Sequence, residues 1–403
     1  MSGFLVGHAT HPDWRVALAL AAAQVDAQHA ARAVPSGPLT LGLAYFTDHY
    51  ASHAEALLDE LCQRWPGMSW VGSVGVGVAA GGAEYIDEPA LALMLADLPL
   101  SSFEVFSGTR KLQRIAPFSA LVHADPATAD LNELITELSE RLQSGYLFGG
   151  LVSSRGARVH LADGVWEGGL SGVAFTQGVP LISRVTQGCQ PLGPTRQVTA
   201  CERHIVLELD GRPALDCLLA DLGVPAGGNP REALPRLRAT LAGITDVHDI
   251  AAARPGQFGA DTRVRHLIGL DPARHAVAVA EVLEPGMRLA FCQRDVQAAR
   301  RDLVRICAEI RDEVESGAEV ALATTAGFAV EPTRRILGAI YVSCAGRGGP
   351  HFGGPSAELK IVQHALGGGV EEVPLVGFFA GGEIARHHVY GYTGVLTVFT
   401  GAR

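Results

Sequence analysis

Lysine is nearly absent from this chain. Lys111 and Lys360 are the only two among 403 residues, and arginine supplies the remaining positive charge. Aromatic residues make up 6%, charged residues 18%, and the formal net charge is -10. No basic stripe or arginine-rich tail is present, and aromatics do not interleave with basic residues. Nucleic acid is therefore not an expected partner, because binding phosphates needs a concentrated positive face. No run of about 18 apolar residues occurs, so no membrane-spanning helix is expected. The opening "MSGFLVGHATHPDWRVAL" lacks a basic segment followed by an apolar one, so no signal peptide is expected. The seven cysteines contain no C-x-x-C pair and are odd in number. They read as reduced thiols in a cytoplasmic protein.

Apolar residues and glycine are abundant, at 48% and 48 residues. That composition supports a large buried core with many tight turns. "DWRVALALAAAQVDAQHAARA" reads as a helix with Asp13 as its N-cap. "PLTLGLAYFT" reads as a buried strand leading into a helix through "ASHAEALLDELCQRW". "ADLNELITELSERLQ" has helical periodicity, with Asp130 or Thr128 as the expected cap. Asp210-Gly211 marks a hairpin. The segment 264–294 reads as an antiparallel meander, followed by a long amphipathic helix from Val296. "EVALATTA" is then expected as a strand, "PTRRILGAI" as a helix and "IYVSCAGRGG" as a strand. "SAELKIVQHAL" is expected as a helix, "EVPLVGFFAGGE" as a strand and "HVYGYTGVLTVFT" as the final strand.

A Pro/Gly/Asn cluster near Val224–Asn229 is the expected linker, giving domains 1–223 and 224–403. "GYLFGG" (145–150) and "GFFAGG" (377–382) echo each other, each at the end of a helix-then-strand sequence. The expected fold class is α+β (mixed α/β). It has two related halves around a pseudo-dyad, with mainly antiparallel sheets packed on each other and covered by helices.

Three local constellations carry chemistry. His49 and His53, four apart on an expected helix, would share a face as a zinc half-site, against the ordinary reading of two exposed histidines. His8 with His11 and the pair His387-His388 are weaker versions of the same pattern. "YVSCAGRGGPHF" places Cys344 at a strand end before a glycine loop with Arg347 and His351. The ordinary reading is a buried structural thiol, and a second is a Cys344 nucleophile served by His351. A third is a ligand site in which the Arg347 fork holds a carboxylate. "GFFAGGEIA" sets Glu383 after a glycine pair. There it either accepts from backbone amides, pairs with Arg347, or meets a ligand ammonium. Neither "GFFAGGEIA" nor "VGSVGVGVAAGG" opens a helix as nucleotide fingerprints do, and no G-x-S-x-G is present, so no cofactor is expected.

"YVSCAGRG" and "GFFAGGEI", together with "WVGSVGVGVAAGGAEYIDEPALALMLADLP", "YLFGGLVSS" and "ISRVTQGCQPLGPTRQVTACERHIVLELDGRPALD", resemble the FIST family along most of the chain. The resemblance implies a stand-alone, bacterial-type sensory protein rather than an enzyme. It implies binding of a small polar ligand such as an amino acid, and a signalling protein as possible partner. The motif positions carried over are Ser73, Cys344, Arg347, Gly382 and Glu383. Phe378 or Phe379 is expected to hold the ligand's apolar part. The competing readings are a protein-interaction scaffold without a small ligand and, behind it, a Cys344-dependent hydrolase or transferase. Oligomeric state is left open.

Overall fold

A computed structural model of the protein describes residues 3–32, 37–224, 230–247, 262–324, 334–368 and 372–402. The fold is α+β, with seven helices and 26 strands among the described residues. The chain forms two compact units. One comprises Met1–Thr186, Leu303–Val389 and Thr393–Arg403, and the other comprises Gln187–Asp302 with Tyr390–Tyr392.

The first unit opens with β1 (Leu5–Thr10) and α1 (Trp14–Ala30). The Asp13 carboxylate accepts the Arg15 amide, as the N-cap reading requires. Then comes β2 (Leu41–Thr47), α2 (Ala54–Arg64) and β3 (Ser69–Gly75), with β3 parallel to β2. A hairpin of β4 (Gly77–Ala80) and β5 (Ala83–Ile86) follows, and β6 (Ala90–Ala96) returns antiparallel to β2.

After β7 (Phe103–Phe106) the same order recurs. β8 (Ser119–Ala124), α3 (Leu131–Glu140) and the parallel β9 (Tyr146–Leu151) lead to a hairpin of β10 (Val159–Ala162) and β11 (Val165–Glu167). β12 (Leu170–Phe175) closes this repeat against β8, and β13 (Leu181–Thr186) follows.

The second unit interrupts the series. Its strands are β14 (Cys189–Pro191), β15 (Arg196–Glu202), β16 (Ile205–Leu209) and β17 (Arg212–Pro213), followed by helices α4 (Ala214–Asp221) and α5 (Pro230–Ala239). The meander β18 (Leu241–Thr245), β19 (Arg263–Asp271), β20 (Ala276–Val279) and β21 (Arg288–Arg294) completes its antiparallel sheet. Asp210 and Gly211 both have positive φ, 50° and 72°, which is the two-residue hairpin turn expected between β16 and β17.

Helix α6 (Val296–Thr324) leads into a third copy of the repeat. It consists of β22 (Arg334–Cys344), α7 (Ala357–Leu366), the parallel β23 (Leu375–Ala380), β24 (Glu383–Ala385) with β25 (His388–Tyr390), and β26 (Gly394–Ala402) antiparallel to β22.

The expected twofold relation thus widens into a threefold one. The three six-stranded sheets have one order, namely an edge strand, the returning strand, the parallel pair and a hairpin. The hairpin always comes from another repeat: β10 pairs with β3, β24 with β9, and β4 with β23. The second strand of each parallel pair carries a glycine with no room for a side chain. A Cβ on Gly72, Gly149 or Gly377 would lie 1.8, 1.9 or 1.7 Å from the carbonyl oxygen of Ala44, Val122 or Tyr341, its register partner. These glycines set the equivalence, so Gly149 matches Gly377 and the "GYLFGG" echo holds for elements but is offset by four residues.

Three local expectations change. "EVALATTA" does not open a strand, because α6 continues to Thr324 on its alanine-rich sequence. The described part of "PTRRILGAI" is β22 rather than a helix; a fully buried strand lacks alternation, so periodicity does not separate it from a helix. Asp130 precedes α3 at φ 53° without a side-chain cap bond, and the Thr128 hydroxyl instead accepts the Gly169 amide at 2.8 Å. The expected linker residues 225–229 lie outside the described residues.

Candidate ligand site

The repeat register aligns one cross-strand row in each sheet. In the first sheet the row is Ala92, Tyr45, Ser73 and His160. In the second it is Ser171, His123, Gly150 and Glu383. In the third it is Val395, Val342, Phe378 and Val78. All twelve are buried. One ring from each sheet meets the others: Tyr45 and Phe378 stack at 5.1 Å, and His123 lies 5.5 Å from Tyr45 and 5.7 Å from Phe378.

The polar members are held unequally. The Tyr45 hydroxyl bonds His123 Nε2 at 3.1 Å, while His123 Nδ1 has no hydrogen-bond partner. Burial, with His160 adding to it, pushes the His123 imidazole down to about 3, so it is neutral. His160 Nδ1 lies 2.5 Å from Ser171 Oγ and Nε2 lies 3.1 Å from the Gly168 carbonyl oxygen; burial lowers its pKa too.

Glu383 has no exposed surface. Its Oε2 accepts the Thr393 amide at 3.1 Å and the Thr393 hydroxyl at 2.6 Å, and its Oε1 has no hydrogen-bond partner. Burial pushes its pKa up to about 8, against the Thr393 bonds and the attraction of Arg347. Near neutral pH the carboxyl therefore carries a proton and is a donor as well as an acceptor.

Arg347 is also fully buried, in the loop after β22. Its Nε donates to Glu358 Oε1 at 2.9 Å, and its Nη2 lies 2.9 Å from the same oxygen. The Tyr341 hydroxyl donates to Glu358 Oε1 at 2.7 Å and the Ser343 hydroxyl to Oε2 at 3.0 Å. Burial opposes the Arg347 charge, but Glu358 outweighs it and holds the guanidinium above its usual range. Phe352 lies under the guanidinium at 5.2 Å. Neither oxygen of Glu383 hydrogen-bonds Arg347, so the two are coupled through space only.

Glu358 is anchored from α7, whose N-terminus is capped from elsewhere. Ser356 precedes it at φ 56° and makes no cap bond of its own. The Glu84 carboxylate on β5 accepts the Leu359 amide at 2.9 Å and the Gly349 amide at 3.2 Å, filling that role. Burial raises the Glu84 pKa despite these bonds.

The structure thus places Cys344, Arg347, Phe378, Phe379, Gly382 and Glu383 at the ends of β22 and β23 and the start of β24. Cys344 is half-buried, and Phe379 packs beside Gly348 of the Arg347 loop. Ser73 is buried in the first row and donates to the Val74 carbonyl at 3.0 Å. His351 sits half-buried against Phe352, ring centres 5.5 Å apart. His49 and His53 both lie in a 3-10 helix, Asp48–His53, in which residues four apart do not share a face. His49 contacts Asp48 at 3.5 Å and His53 stacks on Trp14, so the half-site geometry is not formed.

Sequence reasoning missed Tyr45, His123, His160, Ser171, Tyr341, Ser343, Glu358 and Thr393. One signal was present for Glu358: with Val362 and Leu366 it falls on the buried i, i+4, i+8 stripe of α7. The others reside in strand register, which depends on distant partners.

Residues 40–212 match the FIST N domain and residues 214–386 match the FIST C domain. FIST domains as a class are sensory and signal-transduction domains. Two uncharacterized proteins of Mycobacterium tuberculosis H37Rv and Mycobacterium bovis are each 32% identical to the chain, over 98% of its length and 98% of theirs. Among the described residues, no helix is long and apolar enough to cross a membrane. The chain belongs to the FIST family, with a FIST N domain followed by a FIST C domain.

Proposed function

We propose that the chain is a cytoplasmic sensor that binds a small polar metabolite, such as an amino acid, around Glu383, and passes that state to a signalling protein. One observation carries the reading. Glu383 is a fully buried carboxyl with an unpartnered oxygen, at a row position that Val78 fills in the third sheet. An unsatisfied buried polar atom costs about 1–3 kcal/mol, and the repeat shows that the architecture accepts an apolar residue there. A ligand amine or hydroxyl would satisfy Oε1. Arg347, fixed by Glu358, directs its positive field at a ligand carboxylate. Cys344 and Gly382 flank the approach from the two strand ends, Phe379 lines the apolar part, and Phe378 and Ser73 back the site from neighbouring rows.

Thermal-shift screening of amino acids and small organic acids tests the proposal, with native mass spectrometry of freshly purified protein to detect a retained ligand. The expected result is a ligand that raises the melting temperature of the wild type and not of Glu383→Gln. The proposal fails if no member of either class shifts the transition, or if Glu383→Gln keeps the full shift.

A further inference from the structure

Helices α6 and α7 enclose an open groove of about 540 Å3 on the first unit, away from the buried rows. Its apolar wall is built from Val304 and Ala308 of α6 and Ile361 and Ala365 of α7, with Gly368 at one end. Val304 is 49% exposed, a large apolar side chain left to water. The polar lining consists of two cations, Arg311 and Lys360, with His364, and holds no carboxylate. That is unusual in a chain of net charge -10 in which Lys360 is one of two lysines. Arg311 donates to the Ala365 carbonyl at 3.3 Å and so ties the two walls together. The opposite side of α7 carries Glu358, Leu359, Val362 and Leu366 into the core, so the groove face is not needed to hold the helix.

We infer that this groove is the docking surface for an acidic amphipathic helix of a partner protein. Both walls are helices, and their lining residues recur at helical spacing, 304, 308 and 311 on α6 and 361 and 365 on α7. The small residues Ala308, Ala365 and Gly368 let a third helix approach to the roughly 8–10 Å of ordinary helix packing. The α7 lining runs from Lys360 to Ala365, roughly 7.5 Å or one and a half turns, with Gly368 just past the helix end, which suits a short amphipathic helix with apolar anchors every three or four residues. Complementarity to Arg311, Lys360 and His364 selects acidic flanks on that helix. The inference stands whether or not Glu383 binds a metabolite.

Fluorescence anisotropy tests it, using a labelled peptide of about 16 residues of Leu, Ala and Glu with leucines at i, i+3, i+4 and i+7. The expected result is saturable binding that weakens as salt rises from roughly 50 to 300 mM. The exposed double variant Lys360→Glu/His364→Glu should weaken it at least about tenfold, while Lys111→Glu leaves it unchanged. Circular dichroism confirms that each variant is folded. The inference is overturned if the peptide does not bind, if a Lys-for-Glu version binds as well, or if the double variant binds normally. It is also overturned if decanoate displaces the peptide and binds more tightly, which would assign the groove to small anionic amphiphiles. A concentration-dependent dimer abolished by Val304→Asp would assign it to a second copy of the chain, and would equally overturn the inference.

Discussion

The second and third sheets are built to one plan and filled with opposite chemistry. At matched register one holds Ser171, His123, Gly150 and Glu383, and the other holds Val395, Val342, Phe378 and Val78. Position, burial and strand order are shared, so none of these explains the polar row. Buried ionisable groups lower stability unless they are fully paired, and His123 and Glu383 each retain an unpartnered atom. Under the proposed function the second row serves recognition rather than folding. A protein lacking that use would gain stability by making the rows alike.

The comparison is sharpened most strongly by cutting its support in the third repeat. Arg347→Met leaves Glu358 buried without its cation and should cost about 3–5 kcal/mol in urea denaturation. A loss below 1 kcal/mol would mean that the Glu358 carboxylate is held by Tyr341 and Ser343 alone. Next, Gly377→Ala forces a Cβ to within 1.7 Å of the Tyr341 oxygen, and a loss of about 3 kcal/mol is expected. Gly149→Ala should match it, because the two positions are equivalent; a harmless substitution at either would break the repeat alignment.

Glu383 gives the third test, and its sign follows from linkage. Its folded pKa of about 8 lies above the ordinary value, so the folded state holds the extra proton between roughly pH 4.5 and 8. Stability should fall as pH rises through that window. Glu383→Gln should flatten the slope and stabilise the protein by a few kcal/mol at pH 9, read from melts across pH. The smallest effect is expected at His123. Its folded pKa of about 3 lies below the ordinary 6.5, so its stabilising contribution is complete above pH 6.5 and is lost as pH falls toward 3. The double variant Tyr45→Phe/His123→Leu removes the hydrogen bond as a unit and should change neutral stability by about 1 kcal/mol while reducing acid sensitivity.

Local chemistry was legible in the sequence wherever a residue acts on its neighbours. Asp13 caps α1, Asp210-Gly211 turns a hairpin, and the glycine-rich segments end buried strands at the residues singled out for ligand binding. What remained hidden is long-range. The cap of α7 comes from Glu84, more than 270 residues earlier in the chain. The Glu383 neighbourhood includes Gly150 through a strand pairing between repeats. The threefold pattern was obscured because the second unit separates the last copy from the first two, and because the repeats share register and not residues. The long apolar β22 read as a helix in part because a doubly covered strand carries no alternation.

The passing of each hairpin to another repeat makes the first unit a hoop fastened by three clasps. The third repeat's clasp is β24, which begins at Glu383, and the first repeat's clasp reaches the third through β4 and Glu84. A cut between residues 212 and 214, where the two FIST segments meet, leaves both pieces with open fastenings. The N-terminal piece would carry β4 and β5 with nothing to receive them and a gap beside β9. Each piece made alone should therefore expose unpaired strand edges and aggregate, while the two made together should close and stay in solution.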